Sequence, residues 1–207
     1  MDGLLLDSES LARQTFIRAC RDVGWEPDLA VYDLCIGSTY EDTERILKAG
    51  FGSDFPFEAV NECWGALYEE RVLYQAIDVK TGALELLMRL DELGIPRALA
   101  TSTKRTIAMT KLRNAALDGY FVQLVCAGET ARGKPHPDPY TEATRRLLLD
   151  PGQCWALEDS NNGVRAAHAA GLRVFQIPDL VLPSDEVRAL GHQVVDSLFD
   201  VLNLLEI

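Results

Sequence analysis

The stretch Cys154-Trp155-Ala156-Leu157-Glu158-Asp159-Ser160-Asn161-Asn162-Gly163 decides how this chain is read. A short apolar run closes on two adjacent carboxylates, a turn follows, and helical periodicity resumes over residues 162–170. Strand, turn and helix in that order form part of a βαβ pattern. Two carboxylates side by side at the end of a buried strand repel each other and lose hydration, which is costly without a cation. Donors that are all oxygen suit Mg²⁺, which is held by one or two carboxylates together with water and substrate phosphate.

Working outward, the same alternation extends over everything after Asp78. Residues 81–93 are amphipathic and end at Gly94, and residues 96–101 form a short apolar strand candidate followed by a helix from Lys104. Strand-like runs recur at residues 122–127, 154–157 and 174–177, with helical runs at 140–148, 162–170 and 197–205. The spacing predicts a parallel sheet flanked by helices, with ligands at the carboxyl ends of the strands. Residues 8–75 read differently, as helix throughout. Leu11, Phe16, Ile17 and Cys20 lie on one stripe, Ser8 is a candidate N-cap and Gly24 a candidate stop. Further helices are expected at residues 29–34, 40–49 and 56–74, the last opened by Pro56.

Composition narrows the function classes. The 207 residues carry 32 acidic and 20 basic side chains, a net charge of −12. Nucleic acid and anionic membranes select basic surfaces and are disfavoured as partners. The five cysteines are odd in number and lack a C-x-x-C pair, which suits reduced thiols. The three histidines show no metal-ligand spacing, and no signal-like or membrane-spanning apolar run is found. The expectation is a cytoplasmic monomer.

Two glycine-rich stretches point away from nucleotide binding. Gly128 to Lys134 nearly spells a P-loop, but Pro135 replaces the hydroxyl residue that would hold magnesium, and the prolines behind it cannot open a helix at once. Gly50-Phe51-Gly52 lacks a third glycine at the spacing of a dinucleotide site and does not follow a strand.

Four segments in chain order carry a resemblance. They are Met1-Asp2-Gly3-Leu4-Leu5-Leu6-Asp7-Ser8-Glu9, Ala98-Leu99-Ala100-Thr101-Ser102, Gly133-Lys134-Pro135-His136-Pro137-Asp138, and Leu157-Glu158-Asp159-Ser160-Asn161-Asn162-Gly163. Together they resemble the haloacid dehalogenase-like (HAD) superfamily of phosphatases and phosphomutases, in the β-phosphoglucomutase-like subgroup with a small helical cap. The resemblance implies an α/β fold, a Rossmann-like core with a parallel sheet. The core would comprise residues 1–9 and 78–207, interrupted by an inserted all-helical cap at residues 10–77.

The resemblance also assigns roles. Asp2 is the acid/base and, through its main-chain carbonyl, a metal ligand; Glu158 and Asp159 complete the magnesium site. Thr101 and Ser102 bind the phosphoryl group, and Lys134 neutralises it. The chemistry implied is attack of an aspartate on a phosphate ester, giving an aspartyl-phosphate that water hydrolyses. The family motif is Asp-x-Asp-Gly; Asp2 and Gly3 match its second half, so the nucleophile position falls ahead of Met1. The expectation is a chain trimmed or mis-started upstream, without its central strand and inactive as written.

The substrate expected is a small phosphorylated metabolite of the sugar phosphate kind. Sugar phosphomutases of the subgroup carry an arginine shortly after a cap glycine, whereas Gly37-Ser38-Thr39-Tyr40 places a tyrosine there, which cannot grip a second phosphate bidentately. That favours a phosphatase over a phosphomutase. The alternative of another class is a catalytically dead HAD-like binding or regulatory protein that keeps the metal site.

Overall fold

A computed structural model of the protein describes residues 1–36 and 40–205. Within the chain two compact units form, one from residues 1–7 and 76–207 and the other from Ser8–Gln75.

The second unit is helical: α1 (Ser8–Asp22), α2 (Leu29–Asp33), α3 (Tyr40–Phe51) and α4 (Phe57–Tyr74). Its core gathers Phe16, Ala19, Cys20, Tyr32, Leu47, Phe55, Phe57 and Val60. Phe16, Tyr32 and Trp64 pack their rings within 4.7–5.9 Å of one another, centroid to centroid, close enough for the quadrupole attraction of tilted and edge-on pairs. The predicted α1 stripe is buried at Leu11, Phe16 and Cys20 and half-buried at Ile17. Ser8 proves to be the first helical residue rather than the cap, and its buried hydroxyl finds no partner among the described residues. Gly24 ends the turn at φ +83, the left-handed backbone that a side chain resists. Of the loop compared above with a phosphomutase arginine site, Gly37, Ser38 and Thr39 lie outside the described residues; Tyr40 opens α3.

The first unit continues with α5 (Ala83–Glu92), β1 (Ala98–Ala100), α6 (Arg105–Asn114), β2 (Gln123–Val125), α7 (Asp138–Leu147) and β3 (Trp155–Glu158). Then come α8 (Asn161–Ala169), β4 (Arg173–Gln176), α9 (Asp185–Arg188), β5 (Gln193–Val194) and α10 (Leu198–Asn203). The strands alternate with helices and pair in parallel, which makes this an α/β fold with a parallel sheet. β5 and α9 are too short to leave a periodic signal in the sequence; only Ser184, whose hydroxyl accepts from Val187 N and caps α9, marks that region.

The parallel ladder is in two pieces. β1 pairs with β2, and β3 pairs with β4, which pairs with β5. Between β1 and β3 lies a largely apolar cavity of about 480 Å³, walled by Ala98–Ala100 on one side and Trp155–Glu158 on the other. Leu5 and Leu86 also line it. No described strand joins the facing edges, so the backbone groups that point into the gap lack a ladder partner. Behind β3 the packing is tight, with Val164, Ala166 and Ala167 of α8 meeting Ala156 and Val174.

Candidate active site

Lys134 is the hinge pin of the strand ends. Its Nζ donates to the carbonyl oxygen of Ala100 at 3.0 Å and forms an ion pair with Glu158. The first contact lies at the end of β1 and the second at the end of β3, so one cation ties both halves of the sheet together. Lys134 is 11% exposed at the side chain and Glu158 only 4%. The hydroxyls of Tyr140 and Ser160 also donate to the Glu158 carboxylate. Burial opposes the charge on Glu158, but Lys134, the amino terminus and the Tyr140 hydroxyl outweigh it and hold the carboxyl below its usual range. Burial above all, then the neighbouring Glu158 carboxylate, pushes the Tyr140 hydroxyl far up.

The turn after β3 is shaped around that carboxylate. Ser160 caps α8 by accepting from Gly163 N at 3.0 Å, while its own hydroxyl donates to Glu158 at 3.1 Å. A Cβ on Gly163 would overlap the Glu158 carboxylate outright. The glycine is therefore a requirement of close approach, in a helix where alanine would otherwise be preferred.

Asp159 stands apart from these partners. Burial, and then repulsion from Glu158, raise its carboxyl to about 6, against a lowering pull from the amino terminus. Gly3 lies directly beside it, since a Cβ there would overlap Asp159 Oδ2 and come within 3.3 Å of Asp179 Oδ2. Lys80 is paired to the other oxygen of Asp179, and Oδ2 of Asp179 is buried with no hydrogen-bond partner among the described residues.

Asp2 occupies a cluster of its own. Thr103 Oγ1 donates to it at 2.8 Å and Lys111 Nζ at 2.6 Å. Burial raises its carboxyl, and Lys111, the amino terminus and these hydrogen bonds more than reverse the effect, leaving it low. Thr101 is buried at the end of β1, and its hydroxyl accepts from Thr103 N at 3.1 Å. Ser102 is exposed. Neither Ser102 nor either threonine caps α6: Lys104 stands at that position and makes no side-chain cap bond.

The structure thus brings Thr101, Lys134, Glu158 and Asp159 to adjoining strand ends. It places Asp2 against Thr103 and Lys111, and Ser102 on the surface. Lys111, Tyr140, Lys80 and Asp179 were not anticipated from sequence. A signal existed for Lys111, a lysine set among Ala108 and Leu112 on the buried stripe of α6. For Asp179 there was none, since it follows β4 in an irregular segment.

For a metal ion, no group of three or more acidic, histidine or cysteine side chains converges among the described residues. Glu158 is already engaged by Lys134. The donor chemistry at Asp159 nevertheless fits a hard cation: a carboxylate disfavoured by burial, beside a second buried carboxylate oxygen without a partner.

The chain is similar in sequence and fold to known proteins. The family model described as haloacid dehalogenase-like hydrolase matches residues 1–177. The protein CbbY (plasmid) of Cupriavidus necator is 33% identical over 199 residues, covering 89% of this chain and 76% of the relative. A phosphorylated carbohydrates phosphatase of Thermotoga maritima is 27% identical, over 100% of this chain and 95% of the relative. Among solved structures, a HAD family hydrolase of Deinococcus radiodurans R1 with bound phosphate and sodium superposes with a TM-score of 0.84 at 25% identity, covering 99% of this chain and 92% of the other.

Proposed function

We propose, from the premise that this chain belongs to the haloacid dehalogenase-like hydrolases, that its site serves Mg²⁺-dependent hydrolysis of a small phosphorylated metabolite, a sugar phosphate by class. One observation carries the reading: Lys134 gathers the ends of β1 and β3, beside Thr101 and Asp159, where a phosphoryl group would meet a cation, a hydroxyl donor and a metal-binding carboxylate. The name of the Thermotoga maritima relative, a phosphatase of phosphorylated carbohydrates, supports the substrate class.

In this reading Lys134 and Thr101 bind the phosphoryl oxygens, and Ser102 borders them. Lys134 offsets the charge that spreads over those oxygens in the transition state. Asp159 and Glu158, with the main-chain carbonyl of Asp2, would hold Mg²⁺, which would supply further charge neutralisation at the phosphoryl group. Lys111 and Thr103 keep Asp2 ionised, which prepares it to take a proton from the attacking water. Protonating the leaving oxygen in the first half of the reaction requires Asp2 to carry a proton against the pull of Lys111.

Asp2 and Gly3 match the second half of the motif Asp-x-Asp-Gly, so the covalent route is proposed to use an aspartate two positions before Asp2. The test compares phosphate release from a panel of sugar phosphates, with Mg²⁺ and with EDTA, by two polypeptides. One has the 207 residues; the other is preceded by an apolar strand ending in Phe-Asp. The expected result is Mg²⁺-dependent release by the second alone. No release by either from any ester would sink the phosphatase reading, and equal rates would remove the aspartate ahead of Met1 from the mechanism.

A further inference from the structure

Asp179 has no place in the chemistry above, yet the fold holds it firmly beside Asp159. Its Oδ1 is paired with Lys80, whose own backbone N–H donates to Leu5 O at 2.9 Å, in the segment that follows Gly3. Its Oδ2 is buried and without a partner among the described residues. A buried carboxylate oxygen left without a donor loses its hydration uncompensated, so an orphan of this kind calls for a ligand. Gly3 shows where that oxygen faces: the position of its absent Cβ lies 3.3 Å from Asp179 Oδ2 and directly against Asp159 Oδ2. The two carboxylates approach over a glycine that leaves the space between them open.

The segment carrying Asp179 is also tied to the Glu158–Gly163 turn. Asn161 Nδ2 donates to Leu182 O at 3.4 Å, and Asn161 Oδ1 accepts from Ser184 N at 3.2 Å. One asparagine thus sets the height of residues 182–184 relative to the turn that presents Asp159. The position of Asp179 is fixed from two sides, by Lys80 and by this asparagine clamp.

We infer that Asp179 is a positioning residue for the cation at Asp159, its Oδ2 accepting a hydrogen bond from a water of the hydrated Mg²⁺ while Lys80 fixes Oδ1. The inference rests on the cation reading proposed above. Mg²⁺ gives up its water reluctantly and usually keeps several molecules. Groups that orient those waters and the direct ligands typically govern metal affinity by 10–100-fold. Lys80 prevents Asp179 from turning inward to become a direct ligand, and it offsets the charge that two neighbouring carboxylates would otherwise add to the site.

The test is Mn²⁺ binding, by titration calorimetry and by the electron paramagnetic resonance of free Mn²⁺, with Mg²⁺ as competitor. It uses the full 207-residue protein, and the melting temperature of each metal-free variant is measured alongside. Asp159→Asn should abolish measurable binding. Asp179→Ala should weaken it about 10-fold or more. Asp179→Asn, which keeps an acceptor oxygen, should recover part of the loss, and Lys80→Met should weaken binding by less than Asp179→Ala. A wild-type protein that binds no Mn²⁺ overturns the cation reading itself. Wild-type binding with unchanged affinity in Asp179→Ala overturns this inference alone. So does a fall in melting temperature without a change in affinity, the signature of a purely structural ion pair.

Discussion

Lys134 and Glu158 form a nearly fully buried ion pair, and Lys134 adds a hydrogen bond to Ala100 O at 3.0 Å. Because Lys134 also holds the end of β1 through Ala100 while Glu158 closes β3, the lysine fastens two strand ends that no ladder connects among the described residues. Glu158 is therefore a charge partner of the lysine in this structure, whatever it contributes to a cation.

Lys134→Ala should leave Glu158 buried with only neutral donors. Removing one member of a buried pair costs about 3–5 kcal/mol, because the stranded charge must be neutralised or hydrated. Urea denaturation should show a loss of that order for Lys134→Ala, and a smaller one for the double variant Lys134→Ala/Glu158→Gln. Equal losses would mean that a charged Glu158 is not penalised once its lysine is gone.

Gly163→Ala forces a methyl group into the Glu158 carboxylate. Alanine is ordinarily the better helix former by up to about 1 kcal/mol, so a stabilising change would be expected from propensity alone. Steric overlap with a pinned side chain should win, with a loss of about 1–3 kcal/mol. A melting temperature equal to or above wild type would show that Glu158 can move aside.

The carboxyl of Asp159 is raised by burial to about 6 from an ordinary 3.8. A raised carboxyl favours the folded state while protonated. Its contribution is fully present below about pH 4 and is lost as pH rises through 6, by up to about 3 kcal/mol. Stability measured between pH 4 and 7 without divalent cation should therefore fall more steeply in the wild type than in Asp159→Asn. Parallel profiles would remove Asp159 as the source. Added Mg²⁺ should flatten the wild-type profile, since a bound cation stabilises the ionised form.

The cavity between β1 and β3 makes a residue-by-residue prediction. Arg97 O accepts from Val122 N and Thr101 N donates to Val125 O, so odd-numbered residues of β1 face β2. Cys154 O accepts from Arg173 N and Glu158 O from Ile177 N, so even-numbered residues of β3 face β4. The amides of Ala98, Ala100, Trp155 and Leu157 then point into the gap. In hydrogen exchange they should open roughly 100-fold more readily than those of Leu99, Thr101, Ala156 and Glu158. Uniform protection along either strand would mean that the gap is closed in solution.

Much of this protein was legible in its residues taken in order. The change from helical periodicity to alternating strand and helix after Asp78 needs only local hydrophobic spacing, and the structure places α5 through β4 on those runs. The apolar strand ending in Glu158-Asp159, the glycine at 163 and the lysine before Pro135 were visible because each belongs to a short contiguous motif. What local sequence could not hold is who neutralises whom. Glu158 reads in the sequence as a metal ligand, but only the fold shows that Lys134 and Tyr140 also contact its carboxylate, and that Asp2 meets Lys111 across 109 residues of chain. Asp179 reaches Lys80 across 99 residues and approaches Asp159 only because Gly3 has no side chain. Charges buried far from water are settled by their three-dimensional neighbours, and sequence spacing carries no record of those distances.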